Sequence, residues 1–534
     1  MAAIRPRVNA VEGEYVADGG WDLIVVGAGS AGAALAARSA RQGKRVLLLE
    51  AGPDYRSAEM HEAWRSPNPV VALLDPEVAM RLVWVDLQSS RTDKQDQGFY
   101  VRGKGVGGSS SVNGQIAIRP PVEDFADWAA AGCTGWAPED VLPYFVKLED
   151  DEDFGDEPYH GRGGPTPINR MPREQWGGVD AALARAALAA GHDWAPDVNA
   201  PHASGVSPYP INSRHGRRVS VNDGYLEPAR ELSTLAVRGD ALVDHVVFEG
   251  DRAVGVRVIE QGRASTEYAD TVVLAAGVIH SPAILLRSGI GPAGDLRALG
   301  VDVRADLPVG RGMQDHPAAL VTLPLIESAS VRSPHDRHTN VCVRASSGEG
   351  APHDLMIVAN NQNVLAMAHA DTDGRAGAFL VWLNHNHSRG ELTLTSLDPL
   401  AQPLVRERML SDERDLAVLR AGVRATVELA RRPETTEILS GSLEHSNAAL
   451  FAALDSDALL DDYLLESVLD AQHGTSTCRM GADTDPGAVV DPTCRVRGVD
   501  GLYVVDASIF PSVPRANTHL VSIMAGELMA DRIG

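Results

Sequence analysis

Near the N terminus the apolar positions gather into short unbroken runs. Leu23-Ile24-Val25-Val26 and Val46-Leu47-Leu48-Leu49 are continuous apolar stretches, as expected of strands buried on both faces of a parallel sheet. Between them, Ala33-Ala34-Leu35-Ala36-Ala37-Arg38 is strongly helix-forming. Thr271-Val272-Val273-Leu274 repeats the buried-strand pattern and runs into Ala275-Ala276-Gly277. Further on, the apolar stretch 378–383 and the alternating Glu391-Leu392-Thr393-Leu394-Thr395 predict two more strands. Residues 415–429 carry the spacing of an amphipathic helix. The polar stretch 329–350 predicts a mobile loop or lid. No internal repeat is visible, and 534 residues suffice for more than one domain.

The first turn supplies the chemistry. Gly27-Ala28-Gly29-Ser30-Ala31-Gly32 stands between the first strand and the helix, and Glu50 and Ala51 close the second strand. Strand, glycine turn, helix, strand and acidic residue make up a dinucleotide site. Gly27 permits the tight turn, Gly29 lets backbone approach a pyrophosphate, and Gly32 lets helix and strand pack closely. The helix N-terminus turns its partial positive charge toward the phosphates. Glu50 stands where a carboxylate holds ribose hydroxyls and repels a 2′-phosphate, which disfavours NADP. A second run of small residues, Gly103-Lys104-Gly105-Val106-Gly107-Gly108-Ser109-Ser110-Ser111-Val112-Asn113-Gly114, lies downstream. A flat flavin ring requires such close backbone approach. The two runs together point to a tightly bound FAD rather than an exchangeable NAD.

Composition narrows the partners. A net charge of −24 argues against nucleic acid or an anionic membrane as partner. Cys133, Cys342, Cys478 and Cys494 are dispersed, which suggests neither a zinc site nor a disulfide framework. The first residues hold no apolar signal-peptide core, and no stretch reaches the roughly 18 continuous apolar residues of a membrane span. A soluble, cytoplasmic enzyme is expected. Oligomeric state is not legible.

With these motifs in place, the chain resembles the glucose-methanol-choline (GMC) family of flavin oxidoreductases nearly end to end. The 103–114 run and its continuation through 121–128 resemble the family's first signature. Gly277-Val278-Ile279-His280-Ser281-Pro282-Ala283-Ile284-Leu285-Leu286-Arg287-Ser288-Gly289-Ile290-Gly291-Pro292 resembles the second. Gly501-Leu502-Tyr503-Val504-Val505-Asp506-Ala507-Ser508 resembles the returning flavin-binding strand. Within the family the stretches 144–168 and 285–301 look like hydroxymethylfurfural oxidase-like and choline dehydrogenase-like members. The resemblance implies an α/β fold in which a Rossmann-like FAD-binding domain (1–165, 205–315 and 467–534) interleaves with a sheet-plus-helices substrate-binding domain (166–204 and 316–466). It implies FAD contacts from Gly27, Gly29, Ser30, Ala31, Gly32, Glu50, Ala51, Trp84, Gly103, Gly108, Ser109, Asn113, Gly114, Val243, Ala276, Gly277, Asp506, Ala507 and Thr518.

Alcohol oxidation by a flavin requires a base for the hydroxyl proton and a scaffold that holds the carbinol hydrogen against the flavin N5. His473-Gly474-Thr475-Ser476-Thr477-Cys478-Arg479-Met480-Gly481 resembles the family's base motif, with Ser476 in place of the usual glycine. His473 is the expected base and Asn517 its partner on the substrate oxygen. The bland reading of both is that they are buried polar residues satisfying loop backbone. His519 is expected to touch flavin or serve structure, and Cys478 to pack. His385 and His387 are expected on one face of a strand, with no third ligand for a metal, so no metal site is expected. Val112 occupies the position of the covalent histidine of choline oxidase-like members, so FAD is expected to be non-covalent. Ala318 and Gln472 lack the carboxylate and aromatic faces that bind a quaternary ammonium, which disfavours choline. Gly114 and Gln472 leave room for a polyol, sugar-like or furanic alcohol. The expected reaction is oxidation of a small alcohol to aldehyde or ketone, with O2 as acceptor giving H2O2. The alternatives are a dehydrogenase passing electrons to a quinone or other carrier, a hydroxynitrile lyase, and a non-catalytic flavoprotein.

Overall fold

The computed structural model describes residues 20–363 and 375–533. Its first layer is a seven-stranded sheet. Strands Trp21–Val26, Val46–Leu49 and Leu235–Arg238 pair in parallel. Strand Arg263–Leu274 joins them at Trp21–Val26, pairing Val26 with Leu274. The same strand pairs on its other side with Leu502–Val504. Its N-terminal half continues into an antiparallel meander with Arg252–Glu260 and Leu242–Glu249. The expected apolar runs thus become the sheet centre, where Ile24, Val25, Leu48 and Val273 are fully buried. Helices Ser30–Arg41 and Thr518–Arg532 pack against each other beside this sheet.

The second layer is a six-stranded antiparallel sheet in the order Leu469–Asp470, Pro317–Pro324, Ala376–Leu383, Leu355–Asn360, Val341–Ala345 and Gly205–Pro208. Side chains alternate across it, as the two-residue strand period requires. Val321, Leu323, Val341, Val343, Ile357, Phe379 and Val381 form one core with helices Gly178–Ala189 and Glu413–Arg431. Val358, Leu380 and Trp382 face the other way, toward the first layer. The longer helix matches the amphipathic pattern read at 415–429, and the Asp412 side chain caps it by accepting from the Arg414 N–H.

Two sequence expectations need correcting, the loop at 341–345 and the placement of His385 and His387 on a strand. Residues 341–345, placed in a loop or lid, form a fully buried strand, because Val341 and Val343 are core residues of the second layer. The alternating segment near 391 is a strand as expected, Gly390–Thr393, in a separate five-stranded sheet with Arg311–Met313, Leu404–Arg406, Gln88–Ser90 and Gly98–Phe99. Its Leu392 packs into the first core. Gly205–Pro208 and Leu469–Asp470, by contrast, are hydrogen-bonded into the six-stranded sheet, so the sheets trade segments at the expected boundaries. His385 and His387 lie beyond the end of strand Ala376–Leu383 and meet edge to face, with ring centroids 5.3 Å apart. Among the described residues no helix is long and apolar enough to cross a membrane.

Candidate active site

The two glycine runs meet. Gly27 adopts φ +102°, and a Cβ on Gly32 would lie 2.0 Å from the Gly27 carbonyl oxygen. Strand, turn and helix therefore close tightly only with glycine there. A Cβ on Gly108 would stand 2.7 Å from the Cα of Gly29, so the second run touches the first at the helix N-terminus. Glu50 fastens the two. Its carboxylate accepts the N–H groups of Ala28, Gly52 and Gly105, each at 2.9 Å. Burial raises its pKa, and these amides oppose that rise. Glu50 therefore shapes the site as well as facing it.

Two helix N-termini converge beside this turn. Neither Ser30–Arg41 nor Thr518–Arg532 has an acidic residue in its first turn or a side-chain cap. Their first amides are left for an anion. Ser30 Oγ and His519 Nδ1 lie 2.9 Å apart and link the helices, while His519 Nε2 is buried without a partner. Burial, with Arg218 nearby, lowers the pKa of His519 to about 4 and keeps it neutral. Asp506 ties the returning strand to the start of helix Gly277–Arg287, accepting from Gly277 N–H at 2.9 Å and from the Ser281 hydroxyl at 2.6 Å. Trp84 stacks on His280 with centroids 4.1 Å apart.

At the other end lie the two residues expected to carry the chemistry. Asn517 Nδ2 is 2.7 Å from His473 Nε2, and Tyr209 donates its phenolic hydrogen to Asn517 Oδ1 at 3.1 Å. His473 Nδ1 faces His316 Nδ1 at 2.9 Å, and His316 Nε2 lies 3.2 Å from the Asn384 carbonyl. That carbonyl only accepts, so His316 carries its proton on Nε2. His316 Nδ1 then accepts from His473 Nδ1–H, which leaves His473 Nε2 bare, with the Asn517 amide donating to it. Burial, with the His316 ring and the Arg102 guanidinium nearby, holds the His473 imidazole well below its ordinary pKa. Burial lowers that of His316 to about 3. Both rings are neutral, and His473 presents an unprotonated nitrogen to the cavity.

Asp315 sets the backbone under both rings. Its Oδ1 accepts the N–H of His316 and that of His473, each at 2.7 Å, and its Oδ2 accepts from the Tyr100 hydroxyl at 2.9 Å. Burial and the nearby Asp470 raise its pKa, against the pull of Arg102. Ser476 has φ +72°, the left-handed region that glycine tolerates best, which is why a glycine is usual at this point of the motif. Cys478 is fully buried and burial pushes its thiol pKa well up, so it packs. All four cysteines are free and buried.

One cavity of about 630 Å³ joins these parts. It is lined by His473, Asn517 and every expected cofactor contact except Gly32, which is turned into the helix–strand packing. The sequence reading did not assign roles to His316 or Tyr209, and it missed His338, Thr339, Asn360 and Trp382, which line the cavity together with Tyr209. No local spacing announces them, because each is brought in by the second sheet or its connections. The cavity fits FAD. Close backbone contact would suit a flat ring, the two converging helix N-termini and the unpartnered His519 Nε2 would suit phosphates, and Glu50 stands at the second strand's end.

A dinucleotide-type sheet, a cleft built for a flavin and a neutral buried histidine facing it define a flavin-dependent oxidoreductase. Residues 21–318 and 386–526 match the GMC oxidoreductase family, and the chain belongs to that family. It is an FAD-dependent oxidoreductase acting on alcohols. Its sequence is 37% identical to 5-(hydroxymethyl)furfural oxidase of Methylovorus sp. over 96% of this chain and 98% of the relative. It is 34% identical to an oxygen-dependent choline dehydrogenase of Rhizobium etli, over 96% and 95%. The fold is similar to that of pyridoxine 4-oxidase from Mesorbium loti, with a TM-score of 0.86 and 29% identity over 96% of this chain and 99% of that one.

Proposed function

We propose that this enzyme oxidises a small uncharged alcohol to the aldehyde or ketone and passes the electrons to O2, giving H2O2. FAD, when bound, supplies the hydride acceptor at its N5. His473 Nε2 takes the hydroxyl proton, and Asn517, its amide oriented by Tyr209, holds the substrate oxygen beside it. The neutral His316 accepts from His473 Nδ1–H and keeps the bare nitrogen aimed at the substrate. Val112, at the cavity wall, offers no nucleophile, so FAD is held without a covalent bond. The seven-stranded layer carries FAD and the six-stranded layer shapes the alcohol pocket, in keeping with the interleaved division 1–165, 205–315 and 467–534 against 166–204 and 316–466, apart from the exchanged strands. A furanic or benzylic alcohol suits a wall made of Trp382, Val358 and Leu380, and the similarity to a hydroxymethylfurfural oxidase points the same way.

The reading rests on one observation: the bare Nε2 of His473, paired with Asn517, opens into the same cavity as both glycine runs. The test is anaerobic mixing of the yellow holoenzyme with hydroxymethylfurfural, benzyl alcohols, polyols, glycosides and choline, following flavin absorbance at about 450 nm, then admitting air. Bleaching that air rapidly reverses is the expected result. Bleaching that air does not reverse would replace O2 with a quinone or another carrier. No bleaching by any alcohol would defeat the reading.

A further inference from the structure

Beyond the second glycine run, where a Cβ on Gly114 would stand 3.3 Å from His338 Nε2, the cavity wall carries polar groups that the oxidation itself does not use. Residues 337–340 run into strand Val341–Ala345 and are held between two neighbours. Tyr209 N–H donates to the Asn340 carbonyl at 2.8 Å, and Asn361 N–H donates to the His338 carbonyl at 2.8 Å. Held this way, the segment turns His338 and Thr339 to the cavity. Thr339 is 2% exposed, and its hydroxyl has no hydrogen-bond partner; neither has the buried Nδ1 of His338. A buried hydroxyl or imidazole nitrogen left unpaired is costly, and such groups in a native protein call for an explanation. Of the cavity's other polar groups, Tyr209 is engaged with Asn517, and Gln472 with Asp470 and Arg102.

Distance along the sheet separates these groups from the base. Trp382 stands beside His473, with ring centroids 6.0 Å apart. Asn360, next to the His338 anchor, pairs with Ala378, four residues along the strand from Trp382. Four residues of strand span ~13 Å. Val358 and Leu380, paired with each other, fill the interval with apolar surface. The arrangement is a neutral base at one end, a flat apolar middle and unpaired neutral donors and acceptors at the other. Burial, with Arg218 and Arg337 nearby, lowers the pKa of His338 to about 4, so that it offers one donor and one acceptor but no charge.

We propose that Thr339 and His338 form a second recognition point that hydrogen-bonds an uncharged oxygen, a hydroxyl or an aldehyde, at the end of the alcohol away from the reacting carbon. The preferred substrates are then bifunctional: a flat ring carrying the CH–OH to be oxidised and a second neutral oxygen across the ring. Alcohols with an ammonium at that end are poor, because neither residue supplies a compensating charge and Arg218 and Arg337 nearby repel a cation. This inference rests on the alcohol-oxidation reading above.

The test compares matched alcohols on the holoenzyme by anaerobic flavin reduction. Each pair shares the ring and the reacting group, and one member lacks the distal oxygen: 1,4-benzenedimethanol against 4-methylbenzyl alcohol, and 2,5-bis(hydroxymethyl)furan against 5-methylfurfuryl alcohol. The diol of each pair is expected to half-saturate the reduction rate at about tenfold lower concentration, the effect of one well-made hydrogen bond. Thr339→Val should collapse that ratio toward one, Thr339→Ser, which keeps the hydroxyl, should preserve it, and His338→Phe should reduce it with FAD still bound. Equal saturation by both members in the wild type, or a ratio that Thr339→Val leaves intact, overturns the second recognition point alone. Loss of FAD from His338→Phe together with an unchanged Thr339→Val ratio would overturn it in favour of a flavin contact. Bleaching by no member of either pair, nor by the wider alcohol panel, defeats the underlying reading instead.

Discussion

His316 and His473 meet through like atoms, Nδ1 to Nδ1, at 2.9 Å. Such a contact forms only when one nitrogen carries a proton and the other does not. The Asn384 carbonyl decides which, by taking the only hydrogen a neutral His316 has. A backbone oxygen two residues off the Trp382 strand position thus fixes, through two rings, which face of His473 is basic.

Removing the acceptor should therefore cost rate without costing cofactor. In His316→Phe, His473 loses the partner that fixes its tautomer, and the anaerobic bleaching rate should fall roughly tenfold to a hundredfold, less than the full effect of a wrong tautomer in a hydrolytic triad. His473→Ala should fall further, by about 10²–10⁴. Both should purify with normal FAD content. A His316→Phe enzyme that bleaches at the wild-type rate would reduce His316 to a packing residue.

The same neutrality sets a pH profile. His473 works only unprotonated, and its pKa is held well below the ordinary value. As pH falls, the rate is lost only when that depressed pKa is crossed. The bleaching rate should stay level from about pH 8 to below about 6.5, the ordinary histidine value. Rates measured across that span check it, and a limb centred at or above the ordinary value would contradict a buried neutral base.

What was legible in the sequence is what is local. The run 21–50 announces its own strand, turn, helix and acid, and the motifs around His473 and Asn517 carry their roles in their neighbours. His316 and Tyr209 were not legible, because they reach the base from 157 and 264 residues away in sequence and stand just outside ordinary strands, before Pro317–Pro324 and after Gly205–Pro208. Glu50 was half legible: its position announces a cofactor carboxylate, but only the fold reveals that Gly105 of the second run donates to it. Residues 341–345 misled because Cys342 and Arg344 interrupt the apolar pattern. Both are buried, and Arg344 donates to the carbonyl of Val198 at 2.8 Å.

Gly108 offers a direct test of the two-run cofactor site. A methyl there would stand 2.7 Å from Gly29 Cα, and neither backbone can yield without opening the turn. Gly108→Ala should purify with strongly depleted FAD, read from the ratio of flavin to protein absorbance, at about 450 nm for the flavin. Wild-type occupancy would mean that the two runs need not touch.

Ser476 presents the opposite case, a non-glycine residue where glycine fits. Its φ of +72° costs an ordinary residue roughly 1–2 kcal/mol. Its hydroxyl hydrogen-bonds the neighbouring Thr475 Oγ1, at 3.1 Å. Ser476→Gly should raise stability by about 1 kcal/mol, the larger unfolded-state entropy of glycine offsetting part of the gain. A higher midpoint of thermal unfolding, with the bleaching rate retained, is the expected result, and a lower one would show that the hydroxyl matters more than the strain.

His160 places a pH-dependent brace far from the cavity. Its Nδ1 lies 2.8 Å from Glu149 Oε2 and its Nε2 2.9 Å from Asp197 Oδ2. Both carboxylates accept, so the ring satisfies them only as imidazolium. Arg119 pairs with Glu149, and Arg170 with Asp151 and Asp197. Burial opposes the charge, but the bonds to Asp197 and Glu149 outweigh it and raise the pKa to about 8. The folded value thus exceeds that of an unfolded histidine, about 6.5. The stabilisation is complete below the unfolded value and is lost as pH rises through the folded one. Across that window it amounts to about 2 kcal/mol. The holoenzyme should unfold more readily in denaturant at about pH 9 than at about pH 6, and His160→Gln, less stable at the lower pH, should lose most of the difference. An identical pH difference in wild type and variant would place the titrating group elsewhere.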